Sequence, residues 1–153
     1  MRQELDPPQE HAGSTATSQQ IGLVVLWAMT VAAAGGYLTG LAIDRFGWPG
    51  IAAVWAVGGV AGFVGRKLLT APHRLAGGTL VVACVFAIVV AETCWLHWNT
   101  VQGEEGWWAA FAWLPIFVQE YELSALFAAI FTGFGAMSAY RQTAVRYVRV
   151  PIA

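Results

Sequence analysis

The sequence predicts an all-α, polytopic membrane protein with four transmembrane helices and a short outer-face interfacial helix. Three observations carry that fold class. The 153-residue chain is 58% hydrophobic and 11% charged, against roughly 25% charged in ordinary soluble domains. Its mean hydropathy is +0.58. The apolar residues also fall into four long stretches almost empty of charge, and about 20 apolar residues in a helix cross ~30 Å of hydrocarbon.

The first element is predicted over 21–43, where Ile21 to Ile43 carries no formal charge. The second is predicted over 48–69. Ile51 to Gly65 is apolar and extends outward through Trp48 and Leu69, and Pro49 stands where a first-turn proline starts a helix. The third is predicted over 75–98: Leu75 to Ala91 is uncharged, and the apolar pattern continues to Trp98 past Glu92 and His97. The fourth is predicted over 123–140, with Glu120 and Glu122 before it and Arg141 after it, as the helix macrodipole favours.

Residues 107–118 are tryptophan-rich and apolar but too short to span. Trp107, Trp108 and Trp113 suit the membrane interface, where indole is half wet. The first reading is a helix lying flat on the outer leaflet. A re-entrant half-helix and a kinked continuation into the fourth helix through Pro115 are the alternatives. Trp95 and Trp98 at the end of the third helix are further interfacial anchors.

The tails are polar. Residues 1–20 hold Glu4, Asp6, Glu10, two prolines and a Ser/Thr/Gln run, a composition expected to be disordered. Because the first apolar run begins behind this acidic stretch, it reads as a retained transmembrane helix rather than a secretory signal. Residues 141–153 form a basic tail with Arg141, Arg146 and Arg149. Arg66, Lys67 and Arg74 flank the second loop, whereas the third loop holds Glu104 and Glu105 with no basic residue. The positive-inside rule then places both termini of this multi-pass protein in the cytoplasm.

Glycines form the clearest candidate sites. Gly36 and Gly40 are four apart on the first helix; Gly58 and Gly62 are four apart on the second, with Gly65 one register over. Small residues at that spacing let helix backbones approach closely. The face they make serves either contacts within the bundle or contacts between subunits.

Glu92 and His97 are the candidate intramembrane polar site. Glu92 falls ~9 Å outward from a helix centre near Phe86, about 6 Å inside the hydrocarbon edge. A carboxylate at that depth is costly when charged, which makes it a candidate protonatable group, ion ligand or interhelical bond. The plainer reading has the helix reaching the interface sooner, with Glu92 turned to the headgroups. His97 is ~140° around the helix from Glu92, so the two do not share a face.

Other chemistry finds no support in the sequence. Cys84 and Cys94 are ten apart on one helix, ~15 Å along its axis, too far for a disulfide. Cys94 and His97 alone are too few ligands for zinc. His11, His73 and His97 are not placed to face one another across a haem. No GxSxG, HExxH or phosphate-loop pattern occurs. The net charge of −1 gives no nucleic-acid footprint. Phe127, Phe131 and Phe134 make a stripe suited to packing or lipid contact.

Trp55-Ala56-Val57-Gly58, then Gly62, then Arg66 resembles the Trp-Ala-x-Gly-x3-Gly-x3-Arg pattern of small uncharacterised bacterial multi-helix membrane proteins. The resemblance covers about the middle third of the chain. It implies a small inner-membrane protein and carries no activity. Lys67 as the sole lysine, amid abundant Ala, Gly and Arg, fits a GC-rich bacterial genome. The expected function is a structural or accessory subunit without catalytic activity or cofactor, embedded in the lipid bilayer and packing with itself or a larger membrane complex through its glycine faces. The alternative is an oligomeric transporter or channel component using Glu92.

Overall fold

The computed structural model describes residues 16–99 and 106–144, with residue 117 described by its backbone alone. They form five helices: α1 Ser18–Phe46, α2 Trp48–Leu68, α3 Arg74–Asn99, α4 Gly106–Glu120 and α5 Glu122–Ala144. All but α4 are long and apolar enough to cross a membrane.

Helix α1 starts inside the segment expected to be a disordered tail. Thr17 and Gln20 form a capping box: the Gln20 backbone N–H donates to the Thr17 hydroxyl at 3.4 Å, and the Thr17 N–H donates to Gln20 Oε1 at 3.2 Å. Two backbone donors that a helix start leaves unpaired are thereby satisfied. The Thr70 hydroxyl also donates to Gln20 Oε1 at 3.1 Å, tying this end of α1 to the α2–α3 loop. Midway along α1, Val31–Gly35 widens into a π-helical turn. The Thr39 hydroxyl donates to the Gly35 carbonyl at 2.8 Å just beyond it, the kind of side-chain bond that re-satisfies a helix backbone in hydrocarbon.

The α1–α2 connection is a single residue, Gly47, at φ 67° and ψ −153°. That region is open to glycine and closed to side-chain-bearing residues. Pro49 follows in the opening 3₁₀ turn of α2. At the other end, Leu69 turns extended (φ −107°, ψ 136°) and ends α2 one residue before the expected boundary.

Helix α3 is the hub. Its buried residues include Leu80, Cys84, Ala87 and Ala91, and it packs against α1, α2, α4 and α5. Helices α2 and α5 pack closely on each other, while α1 and α5 occupy opposite corners and do not meet among the described residues. Large side chains such as Leu26, Met29, Phe63 and Phe86 face outward. In a bilayer these are lipid contacts rather than exposed liabilities.

Helix α5 continues to Ala144, so the first residues of the expected basic tail are helical. The reason is packing: Thr143 is buried, its hydroxyl donates to the Ala139 carbonyl at 2.7 Å, and its carbonyl accepts from the His73 N–H at 2.9 Å. The remainder of both tails, with Arg146 and Arg149, and the loop holding Glu104 and Glu105 lie outside the described residues. Helix α4 is separate from α5, interrupted at Tyr121, and packs mainly on α3. Ala110 and Leu96 are its buried contact, with Ala109, Leu114 and Trp95 around them.

Candidate functional site

The five glycines singled out by spacing all turn inward. A Cβ at Gly36 would lie 2.6 Å from the Ala87 carbonyl oxygen, and one at Gly40 would lie 3.0 Å from that of Ala91. The partner face on α3 is itself small, Ala87 and Ala91 at spacing four. On the other side of the bundle a Cβ at Gly58 would collide with the Gly135 backbone, and one at Gly62 would lie 2.7 Å from the Ala139 Cα. A Cβ at Gly65 would meet the Leu80 side chain at 2.6 Å. At Gly40, Gly58 and Gly62 small residues face small residues, the arrangement that brings helices into close backbone contact. These faces are therefore used within the chain. Of the two uses expected of them, contact between subunits has no glycine left among these five.

The α1–α2 turn, the far end of α3 and the α4–α5 junction converge at one end of the bundle, where a cleft of about 170 Å³ opens. The turn contributes Ile43, Gly47, Trp48 and Ile51; α3 contributes Glu92 and Trp95; the junction contributes Tyr121 and Ser124. Glu92 is half-buried, about 10 Å below the end of its helix. Trp48 is braced by Phe127, with ring centroids 5.0 Å apart and planes at 37°. Phe127 in turn stacks on Phe131 at 6.4 Å, while Phe134 is exposed.

His97 points elsewhere. Its ring stacks on Trp107 with centroids 4.1 Å apart and planes at 21°. Its Nδ1 is buried with no hydrogen-bond partner among the described residues. The structure thus places Glu92 in the cleft and His97 under α4, and they do not form one site. The five tryptophans named as anchors also divide. Trp95 lines the cleft, Trp98 meets Tyr37 edge-on at 5.7 Å, and Trp107 holds His97. Trp108 and Trp113 are exposed, Trp108 most of all at 84%.

Three features escaped the sequence. Trp48, Tyr121 and Ser124 join Glu92 only because three connections meet in space, and no spacing signals that. The Trp27 indole donates to the Ala61 carbonyl at 3.1 Å across the α1–α2 seam. The π-helical turn has no signature beyond the Val-Ala-Ala-Ala-Gly run it occupies. Cys84 and Cys94 are both free and buried. No group of three or more residues able to hold a metal ion occurs among the described residues.

Charge is segregated by end. Arg66, Lys67, Arg74 and Arg141 gather where α2 and α5 finish and α3 begins. Asp44, Glu92, Glu120 and Glu122 gather at the cleft end, where Arg45 is the one described cation. At that end Asn99 Nδ2 donates to Asp44 Oδ1 at 3.2 Å and clips α3 to α1.

Four apolar helices of spanning length, with a fifth beside them, define an all-α multi-pass membrane protein. No family model, curated protein or solved structure matches the chain.

Proposed function

We propose that this is a non-enzymatic accessory protein of a bacterial inner membrane, with both termini in the cytoplasm, that assembles with itself or with a larger complex. The observation that carries the reading is helix α4. It has no charged face, and it exposes Trp107, Trp108, Phe111, Trp113 and Ile116 while burying little beyond Ala110. A helix apolar all round is normally covered on more than one side. At the acidic, outer end of the bundle it lies against the outer leaflet and offers its tryptophan face to a partner within the membrane. The contact surface is then α4, since the glycine faces are used inside the chain. The gathering of Arg66, Lys67, Arg74 and Arg141 at one end supports the cytoplasmic placement of that end. The non-enzymatic role rests on a sequence without a nucleophile-and-base spacing, and the membrane assignment on the helix-two resemblance.

Native mass spectrometry after extraction in a mild detergent from the native host tests this. A stoichiometric complex that dissociates when Trp108→Ala and Trp113→Ala are combined is the expected result. A monomer, or a complex indifferent to both changes, rejects it.

The cleft favours a second reading, an oligomeric transporter or channel component in which Glu92 is the polar group on the path. Liposome flux that is lost in Glu92→Gln supports it. Absence of flux in the unmodified protein removes it.

A further inference from the structure

The Glu92 cleft has a chemical character that neither reading above requires. Its charged group is a single carboxylate. Among the described residues no lysine or arginine lines it, so these walls supply the anion with no counter-ion. A buried or half-buried charge without a partner is costly, and an occupant of opposite charge would remove that cost.

The walls restrict which cation fits. A hard metal ion takes several oxygen ligands, and here Glu92 has only the Ser124 and Tyr121 hydroxyls near it, among Trp48, Trp95 and isoleucine side chains. Such a lining cannot replace the hydration shell of sodium or calcium. It suits instead a cation whose charge is spread over alkyl groups, because aromatic rings attract cations through their quadrupole and apolar walls accept the alkyl surface. Size agrees: the volume of about 170 Å³ is close to the ~150 Å³ cavity that accommodates a benzene molecule. Trp48, in contact with Phe127, lines one side of the cleft.

We propose that this cleft binds an alkylammonium cation of the size of a trimethylammonium head, with the Glu92 carboxylate as counter-ion and Trp48, Trp95 and Tyr121 as the aromatic wall. The head group is supplied either by a choline lipid of the bilayer or by a free alkylammonium compound. The site requires neither transport nor a protein partner, so its failure leaves the assembly reading intact.

The test is calorimetric titration of the full chain in a non-ionic maltoside with tetramethylammonium chloride, at constant ionic strength set by sodium chloride. Saturable binding in the millimolar range or tighter is expected, weakened roughly tenfold or more by Glu92→Gln, a loss of about 1.4 kcal/mol. Trp48→Leu, which keeps the carboxylate, is expected to weaken it severalfold, with an unchanged melting curve showing that the fold is retained. No saturable binding overturns the proposal. So does affinity unchanged from the unmodified protein in Glu92→Gln or in Trp48→Leu, or equal competition by sodium. Repeating the titration in phosphatidylglycerol and phosphatidylcholine nanodiscs identifies the source. Binding suppressed only in phosphatidylcholine assigns the site to the lipid headgroup; binding equal in both assigns it to a free cation.

Discussion

The two ends of this bundle differ in what fills the space between their connections. At the basic end, Gly62, Gly65, Gly77 and Ala139 let α2, α3 and α5 close on one another, and a side chain added at those glycines would strike its neighbours. Backbone and side-chain bonds lock the connections there, His73 to Thr143 and Thr70 to Gln20. At the acidic end, Trp48, Trp95 and Tyr121 occupy the space between connections, and a cleft remains around Glu92. Small residues produce contact; large rings at a junction of three chain segments produce a walled space. The contrast is one of packing: closed seams at one end, a walled cleft at the other.

The contrast can be broken by overpacking each end. Gly62→Leu places side-chain atoms on the Ala139 backbone, 2.7 Å from its Cα at the first added atom. We expect it to cost about 3 kcal/mol or more, seen as loss of a monodisperse peak in size-exclusion chromatography. Ser124→Leu projects into the cleft and is expected to leave the melting temperature unchanged or raised, because it fills empty volume. Equal damage from both substitutions would end the distinction between a closed and an open end. Gly59→Leu, next to Gly58 but with open space around it, is the matched control and should be tolerated.

A smaller effect sharpens the account of the seams. Trp27→Phe keeps most of the ring but removes the 3.1 Å bond to the Ala61 carbonyl. Reversible unfolding in mixed micelles should register a loss of about 1 kcal/mol. No loss would mean that the α1–α2 seam is held by ring packing alone.

The smallest effect has the opposite sign. Thr132 is buried in α5, and its hydroxyl has no partner among the described residues. Thr39 and Thr143, equally buried, bond to carbonyls four residues back. Thr132→Val removes an unpaired hydroxyl at nearly constant volume, so stability should rise by up to about 1 kcal/mol. A decrease in the same unfolding assay would mean that the hydroxyl has a partner in the membrane.

Reading the helices required only local information. Charge-free runs set the four spans because hydrocarbon admits few alternatives to a helix with all its backbone bonds internal. The ends were less legible. The Thr17 to Gln20 capping box is visible in the sequence, but the polar composition around it pointed to a disordered tail. The extension of α5 to Ala144 depends on His73, seventy residues earlier in the chain. For the candidate site, isolation in an apolar run marks Glu92, and the sequence already sets His97 on another face of the same helix. A helix turns ~100° per residue, and the five-residue offset sent the two side chains to different neighbours.

Local sequence is enough to specify the solvent. Its long uncharged runs require a bilayer, its charge pattern separates a basic end from an acidic one, and its glycine spacing announces close helix contacts. These properties depend on residues adjacent along one helix or one loop. The fold, not any one stretch, brings the glycine faces together inside the chain, sets α1 and α5 apart, and joins Glu92 with Trp48 and Tyr121 in one cleft. Those outcomes depend on which helix lies beside which, a choice set by the packing of whole faces that no single stretch of sequence contains.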